Sequence, residues 1–419
     1  MRATIHRSRT QGRVEVPSSK SYTIRAALCA AMAEGDSFIG RPLDSDDGSA
    51  VLECIEQLGA RVEQGQGGIV VHGGTLRAPR APLWCRESGA TFRFLAAIAA
   101  TLDGITVLKC APSLARRPVE PLLQALRQTG ATLDFDAAAG ELAVTGQTLS
   151  SAMVTLPGDV SSQFLSALLL SGPMYSGGLV VAVSTRLVSE RYVAMTVDCM
   201  RQFGARVDKT PADGRFHVTG SYAPSHYVVE GDWSSAAAIL TLGALAGQAS
   251  IDALRLDSLQ ADVAILALLG SAGARIVAED GNVTVSGASL HAFVAELGEA
   301  IDLLPVACVL AAAADGVTTL TGISRAREKE SDRVMAMAEG LSQLGIRVEV
   351  ERDLMRIWGG GGRSGTVSSA GDHRIAMAFG ILGARVGAVT IEAAESVSKT
   401  YPGFWDTLAS LGVEVALYE

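Results

Sequence analysis

One short phrase recurs six times, and its spacing limits what this chain can become. A glycine followed by an alternating, strand-like run appears in Leu58-Gly-Ala-Arg-Val-Glu, Thr129-Gly-Ala-Thr-Leu-Asp, Phe203-Gly-Ala-Arg-Val-Asp, Ala272-Gly-Ala-Arg-Ile-Val, Leu344-Gly-Ile-Arg-Val-Glu and Leu411-Gly-Val-Glu-Val-Ala. The glycines Gly59, Gly130, Gly204, Gly273, Gly345 and Gly412 lie 67 to 74 residues apart. Regular spacing along the whole chain marks repeated supersecondary units. Solenoids use shorter repeats, so six long units predict two compact domains of three units each.

Each phrase follows an amphipathic helix. Val51, Leu52, Ile55 and Leu58 form one apolar stripe, and Val334, Met337, Leu341 and Leu344 form another. The glycine then suits the left-handed position just past a helix end. A second helix in each unit is rich in Ala and Leu on all sides and runs to Gly35, Gly104, Gly178, Gly247, Gly316 or Gly387. A helix apolar all round belongs in the interior. Each unit therefore reads β-α-β-α-β-β. The fold class is α/β (α+β), with two globular domains of three such units in pseudo-threefold arrangement. The stretch Pro224-Ser-His226 between the third and fourth units is the expected hinge.

Composition narrows the function classes. Hydrophobic residues make up 48% of the chain and charged residues 19%, which excludes disorder. Thirty-five basic against 44 acidic residues give a net charge of −9. Nucleic acids and membrane surfaces select basic faces, so neither is an expected partner. The apolar runs Ser235–Gly247 and Leu303–Ala314 stop short of the ~20 residues of a membrane span. The segment Met1–Thr10 has no apolar leader pattern, and a cytoplasmic location is expected. Cys29, Cys54, Cys85, Cys110, Cys199 and Cys308 lie far apart without a C-x-x-C pair, which predicts reduced thiols rather than disulfides or a zinc site.

The interior helices carry the functional argument, because each begins with polar or charged residues. These are Ser19-Lys20-Ser21 with Arg25; Glu87-Ser88-Gly89-Ala90-Thr91-Phe92-Arg93; Ser161-Ser162-Gln163; Asp232-Trp233-Ser234-Ser235; Asp302; and Gly371-Asp372-His373-Arg374. Ser, Thr and Asp there cap helices and contribute about 0.5–2 kcal/mol each. Capping suffices for Asp232, Ser234 and Ser235. It does not account for Lys20, Arg25, Arg93 or Arg374, since a cation near a helix N-terminus opposes the macrodipole. An anion between those cations and the free N–H groups reverses the cost. Several such ends at one cleft would bind a small molecule carrying several negative charges.

Further basic residues precede the amphipathic helices: Arg116-Arg117-Pro118, the run Arg327-Glu-Lys329-Glu330-Ser-Asp332-Arg333, and Lys399-Thr-Tyr-Pro402. Alone, the mixed-sign run reads as a solvated helix start. Beside an anion site it suggests acid/base work. Other short motifs fail in context. Gly360-Gly-Gly-Arg-Ser-Gly365 matches G-x-G-x-x-G by letters, but no apolar helix follows, so no dinucleotide site is expected. Val16-Pro-Ser-Ser before Lys20-Ser21 lacks the glycines of a phosphate-binding P-loop, and G-x-S-x-G is absent.

Together, Val16-Pro-Ser-Ser-Lys-Ser-Tyr-Thr-Ile-Arg25, Val160-Ser-Ser-Gln-Phe-Leu165, Lys329-Glu-Ser-Asp-Arg333, Asp372-His-Arg-Ile-Ala-Met377 and Lys399-Thr-Tyr-Pro402 resemble the motifs of the 5-enolpyruvylshikimate-3-phosphate synthases (3-phosphoshikimate 1-carboxyvinyltransferases), of the enolpyruvyl transferase family. The motifs occur in order from about residue 12 to 408. The resemblance implies a discontinuous domain of residues 1–17 and 229–419, an inserted domain of residues 18–228, and an active site in the interdomain cleft. It implies a monomer that closes its domains on its substrates and uses no metal or organic cofactor. The implied reaction moves the enolpyruvyl group of phosphoenolpyruvate to the 5-hydroxyl of shikimate 3-phosphate, through a tetrahedral ketal, and releases phosphate.

Carried over position by position, Lys20, Ser21, Arg25, Ser161, Ser162, Gln163, Ser189, Asp302 and Lys329 would hold shikimate 3-phosphate. Lys20, Gly89, Arg117, Gln163, Arg333, Arg374 and Lys399 would surround phosphoenolpyruvate, with Arg93 and Tyr192 in support. The catalytic candidates are Asp302, Glu330, Lys20 and Lys329. Glu330 is the candidate acid toward the methylene carbon, and Asp302 the candidate for the 5-hydroxyl proton, with Lys329 biasing both titrations. The arginines and Lys399 would neutralise carboxylate and phosphate.

This sequence departs from the family pattern at Glu87, often Asn; at Ala90, often Thr; and at Ser18, often Gly. Arg325 stands where some relatives have Asn and is left unassigned. Glu87 and Ala90 beside Gly89 leave open the sensitivity to inhibitors of the glyphosate type. Two other readings stay open. UDP-N-acetylglucosamine enolpyruvyl transferase shares the fold and second substrate, but it expects Lys-Asn at Lys20-Ser21 and a reactive Cys where Leu114-Ala115 lie, with Cys110 close by. The other is a non-catalytic anion-binding protein on the same scaffold.

Overall fold

At each repeat glycine the backbone turns left-handed, with φ from 78° at Gly345 to 115° at Gly59. A side chain is strained there, which is why the phrase keeps glycine between helix and strand. The computed structural model describes residues 1–148, 152–210 and 214–419. Two compact units emerge from the packing. One comprises Met1–Pro17 and Gly231–Glu419, the other Ser18–Glu230.

Among the described residues, each unit holds three four-stranded sheets built to one plan. A parallel pair lies at one edge, followed by two antiparallel neighbours. In the sheet of Gly35–Gly40, the parallel partner is His226–Val228 and the antiparallel neighbours are Gly68–Gly73 and then Arg61–Gly65. The other five repeat the scheme, for example Ala152–Leu156 beside Leu179–Val183 and Val294–Glu296 beside Val317–Thr321.

Strand exchange within each unit makes the individual repeats less self-contained than their spacing suggests. The sheet of the first repeat takes its edge strand, His226–Val228, from the chain that follows the third. The fourth takes Thr10–Val14 against Gly247–Ile251. The sixth inserts Arg2–Ile5 between Val389–Glu392 and Val415–Tyr418. Two N-terminal strands therefore serve the unit that holds Gly231–Glu419. Parallel neighbours need a long crossover rather than a hairpin, so the edge strand is the position that chain order leaves free.

The interior helices are Lys20–Met32, Gly89–Ala99 and Ser162–Ser171 in one unit, and Trp233–Ala246, Leu304–Ala313 and His373–Val386 in the other. Every residue from Leu304 to Ala313 is buried, as is every residue from Tyr22 to Met32. Their Ala-rich surfaces allow close approach, and Gly89–Ala99 packs on Ser162–Ser171 as Trp233–Ala246 packs on His373–Val386. The outer helices, such as Asp46–Gln57 and Glu190–Gln202, bury one stripe. All six cysteines are buried free thiols. No helix among the described residues is long and apolar enough to cross a membrane.

Candidate active site

In the unit Ser18–Glu230 the interior helix starts hold a set of cations. Lys20 opens its helix and places Nζ 3.1 Å from Asp47 Oδ2, a buried acid on the neighbouring outer helix. Arg25 lies one turn further on and is 2% exposed. Its Nε donates to Thr196 Oγ1 at 2.8 Å, and its terminal nitrogens donate to the carbonyls of Ser21 and Tyr192. The guanidinium also lies over the Phe94 ring. These partners are all neutral, and burial lowers the pKa of Arg25. A buried guanidinium without a carboxylate is costly, and an anion can lower that cost. Ser189 caps the next outer helix in a left-handed conformation, φ 52°, and is buried. A non-glycine residue rarely holds that geometry.

Gly89, Arg93, Arg117 and Gln163 converge. A side-chain carbon at Gly89 would stand 2.7 Å from Arg93 Nη1, so that guanidinium would have to shift, while Arg117 Nη1 at 3.6 Å would be in ordinary contact. Arg93 is buried, and it donates to Gln163 Oε1 at 2.7 Å and to the Pro118 carbonyl at 2.9 Å. Ser161 caps the helix that carries Gln163, and Ser162 is buried at its first position. Glu87, next to this group, accepts from the Ser113 hydroxyl.

In the unit Met1–Pro17 with Gly231–Glu419, the site is a carboxylate cluster built around one arginine. Arg333 opens an outer helix and is fully buried. It donates through Nη1 to Asp302 at 2.7 Å, through Nη2 to Glu330 at 2.7 Å, and through Nε to Asp372 at 2.8 Å. The sequence reading has Arg333 facing phosphoenolpyruvate. In the structure it also answers Asp372, read as part of a helix-start cluster, which is fully buried and needs a cation. Asp372 also caps its own helix through the Arg374 backbone N–H. Asp302 sits on the 3-10 turn Ile301–Leu303, just before the interior helix. Lys329 Nζ lies 3.3 Å from Asp302 Oδ1, and Arg374 Nη2 lies 3.5 Å from Asp302 Oδ2. Lys399 ends the 3-10 segment Ala394–Lys399, buried, on a segment packed against His373–Val386. Arg325 donates to the Gly298 carbonyl.

The charges settle by competition. Burial pushes Asp302 up, but Lys329, Arg374 and Arg333 outweigh it and hold the carboxyl well below the usual range. Burial lowers Lys329, opposed by Asp302. Burial also works against the charge on Arg333, yet Asp372, Glu330 and Asp302 keep it firmly protonated. The result is an ionised carboxylate within reach of cations of depressed and elevated basicity. Such a group can hold or move a proton beside a bound anion.

Four contributors escape the sequence reading: Asp47, Thr196, Asp262 and the clamping role of Asp372. Asp262 is the one with a visible signal. It is the single charge in Ser258-Leu-Gln-Ala-Asp262-Val-Ala-Ile265, and a charge in so apolar a turn requires a partner.

Comparison with known proteins bears on this geometry. The family model for EPSP synthase (3-phosphoshikimate 1-carboxyvinyltransferase) matches residues 5–408. A 3-phosphoshikimate 1-carboxyvinyltransferase of Dehalococcoides mccartyi is 41% identical over 418 residues, covering 99% of each chain. One from Halobacterium salinarum is 40% identical over 428 residues, again covering 99% of each. Among solved structures, EPSP synthase from Acinetobacter baumannii superposes with a TM-score of 0.83 at 28% identity, covering 99% of this chain and 100% of that one.

Proposed function

The chain belongs to the EPSP synthase (3-phosphoshikimate 1-carboxyvinyltransferase) family, and on that premise we propose that it transfers the enolpyruvyl group of phosphoenolpyruvate to the 5-hydroxyl of shikimate 3-phosphate. In the addition step the methylene carbon takes a proton, the 5-hydroxyl oxygen bonds to the adjacent carbon, and the hydroxyl proton is lost. In the elimination step the new methyl group returns a proton and the bond to phosphate breaks. The products are 5-enolpyruvylshikimate 3-phosphate and phosphate.

The observation that carries this reading is Asp302, a part-buried carboxylate kept ionised among Lys329, Arg333 and Arg374. It accepts the 5-hydroxyl proton. Glu330, tied to the same arginine, is the acid toward the methylene carbon. Lys20 and Lys329 complete the catalytic group. Shikimate 3-phosphate is held by Lys20, Ser21, Arg25, Ser161, Ser162, Gln163, Ser189, Asp302 and Lys329. Phosphoenolpyruvate is held by Lys20, Gly89, Arg117, Gln163, Arg374 and Lys399. Arg333 belongs to that set as well, and it also fixes the carboxylates of Asp302, Glu330 and Asp372. Small charged substrates fit a cytoplasmic, monomeric enzyme of the domain plan 1–17 with 229–419 and 18–228.

The test mixes purified chain with phosphoenolpyruvate and one acceptor and measures free phosphate. Release with shikimate 3-phosphate and none with UDP-N-acetylglucosamine is the expected result. The opposite preference would reassign the acceptor, and ligand binding without phosphate release would make the chain a binding protein. Light scattering in the same buffer tests the monomer.

A further inference from the structure

Arg374 is held from a side that the reaction does not use. Its Nη2 donates to Ser234 Oγ at 3.0 Å, and Ser234 Oγ donates onward to Asp262 Oδ2. Arg374 Nη1 lies 3.7 Å from the same Asp262 oxygen. Asp262 is 1% exposed and sits on the short turn Ala261–Ala264. Its other oxygen, Oδ1, is buried without a hydrogen-bond partner. This carboxylate is placed for one neighbour, and it carries no role in the assignments above. On its far side Arg374 reaches Asp302.

We infer that Asp262, through Ser234, is a positioning residue that balances the pull of Asp302 on the Arg374 guanidinium and aims it at phosphoenolpyruvate. The inference rests on the assignment of Arg374 to that substrate. Without the Asp262–Ser234 hold, Arg374 closes on Asp302 as its remaining carboxylate. The anion site then loses a cation to a carboxylate that it already neighbours. The damage falls on capture of phosphoenolpyruvate, while the Arg25 group that holds the other substrate is untouched.

The hold depends on pH. Burial pushes Asp262 up to about 7, with Arg374 opposing, Asp302 adding to the rise, Ser234 opposing and Asp232 adding again. Those are the groups that face it: Arg374 from His373–Val386, Asp302 from Ile301–Leu303, and Ser234 and Asp232 from the start of Trp233–Ala246. Its own turn has no other titratable residue. Protonated Asp262 cannot pair with a guanidinium, so Asp262→Asn reproduces the acid form at every pH.

The experiment measures kcat and KM for both substrates from pH 5 to 9 in the unaltered chain, Asp262→Asn, Ser234→Ala and Ser234→Thr. Expected above pH 8 is a KM for phosphoenolpyruvate about tenfold higher in Asp262→Asn, with a clearly smaller change in the KM for shikimate 3-phosphate. The ratio of kcat/KM between the two proteins should shrink toward one below pH 6. Substrate ionisations cancel in that ratio. Ser234→Ala should shift the same KM in the same direction, and Ser234→Thr should restore it. A ratio independent of pH, or equal losses for both substrates, overturns the inference. If Asp262→Asn does not fold, the two Ser234 variants decide the matter by the same split. An unaltered chain that releases no phosphate sinks the proposed function and this inference together; an active one indifferent to Asp262 and Ser234 sinks the inference alone.

Discussion

Arg25 Nε donates to Thr196 Oγ1 at 2.8 Å, and that hydroxyl lies 2.9 Å from Ser166 Oγ. A buried cation is thereby oriented by hydroxyls and carbonyls and, among the described residues, by no carboxylate. The arrangement spends stability to keep the charge available, since a carboxylate partner would neutralise it before any ligand arrived.

Thr196→Val removes the hydroxyl at nearly constant volume and leaves Nε unsatisfied, which costs about 1–3 kcal/mol. The guanidinium loses its aim. Titration calorimetry should show shikimate 3-phosphate binding about tenfold weaker, with the KM for phosphoenolpyruvate unchanged. Unaltered shikimate 3-phosphate affinity would show that Thr196 does not orient Arg25 toward the ligand.

Arg333 is the counter-case, a cation surrounded by Asp302, Glu330 and Asp372. Arg333→Met should destabilise its unit by about 3–5 kcal/mol, because fully buried Asp372 loses its arginine and Asp302 and Glu330 lose a shared cation. Without the guanidinium they bind protons more readily, so the loss should be smaller at pH 5 than at pH 8. Urea unfolding at the two pH values checks this. An equal loss at both would mean that packing, not charge, makes Arg333 necessary.

The contrast shows what a sequence discloses. Lys20, Arg25, Arg93 and Arg374 stand out because each is a cation at the start of an apolar helix, a local conflict that pattern alone exposes. The repeat glycines stand out because a left-handed turn has few alternatives. Asp372 was visible as a cap but not as a clamp, because its partner Arg333 is 39 residues away on another helix. Asp262 is more distant still from Arg374, and only the packing of a short turn brings them together. Strand exchange stays hidden for a similar reason. Arg2–Ile5 and His226–Val228 carry ordinary strand residues, and nothing in their own pattern names a partner at the far end of the unit.

Asp302 gives a stability signature with a definite sign. Its folded pKa is held well below the ordinary range. Its contribution is therefore present above the unfolded value of about 4 and disappears as pH falls through the folded one. Asp302→Asn should be less stable than the unaltered chain at pH 6, and the two should converge in strong acid. Denaturant midpoints across that range test it. A gap that persists in acid would assign the loss to packing.

Glu330 should separate chemistry from binding. If it delivers the proton to the methylene carbon, Glu330→Gln keeps the hydrogen bond accepted from Arg333 but has no proton to give. The expected loss is about 10²–10⁴-fold in kcat, with both KM values changed little. Single-turnover phosphate release reports this directly. A rise in KM with kcat preserved would make Glu330 a binding residue and move the acid elsewhere.

Asp262 adds the case in which stability and activity pull apart. Burial outweighs Arg374 and raises its pKa to about 7. A raised folded pKa means that the favourable contribution of the protonated form is complete below about 4 and is lost as pH climbs through 7. Above that pH the unaltered chain carries a buried carboxylate with one unsatisfied oxygen. Asp262→Asn stays neutral throughout, so its thermal midpoint should exceed that of the unaltered chain at pH 8.5 and approach it as pH falls toward 4. The same substitution is expected to weaken phosphoenolpyruvate capture at pH 8.5. A variant both stabler and poorer in capture at one pH would identify Asp262 as strain kept for function. If Asp262→Asn were instead less stable at pH 8.5 than at pH 4, relative to the unaltered chain, the ion pair with Arg374 would be a net support of the fold.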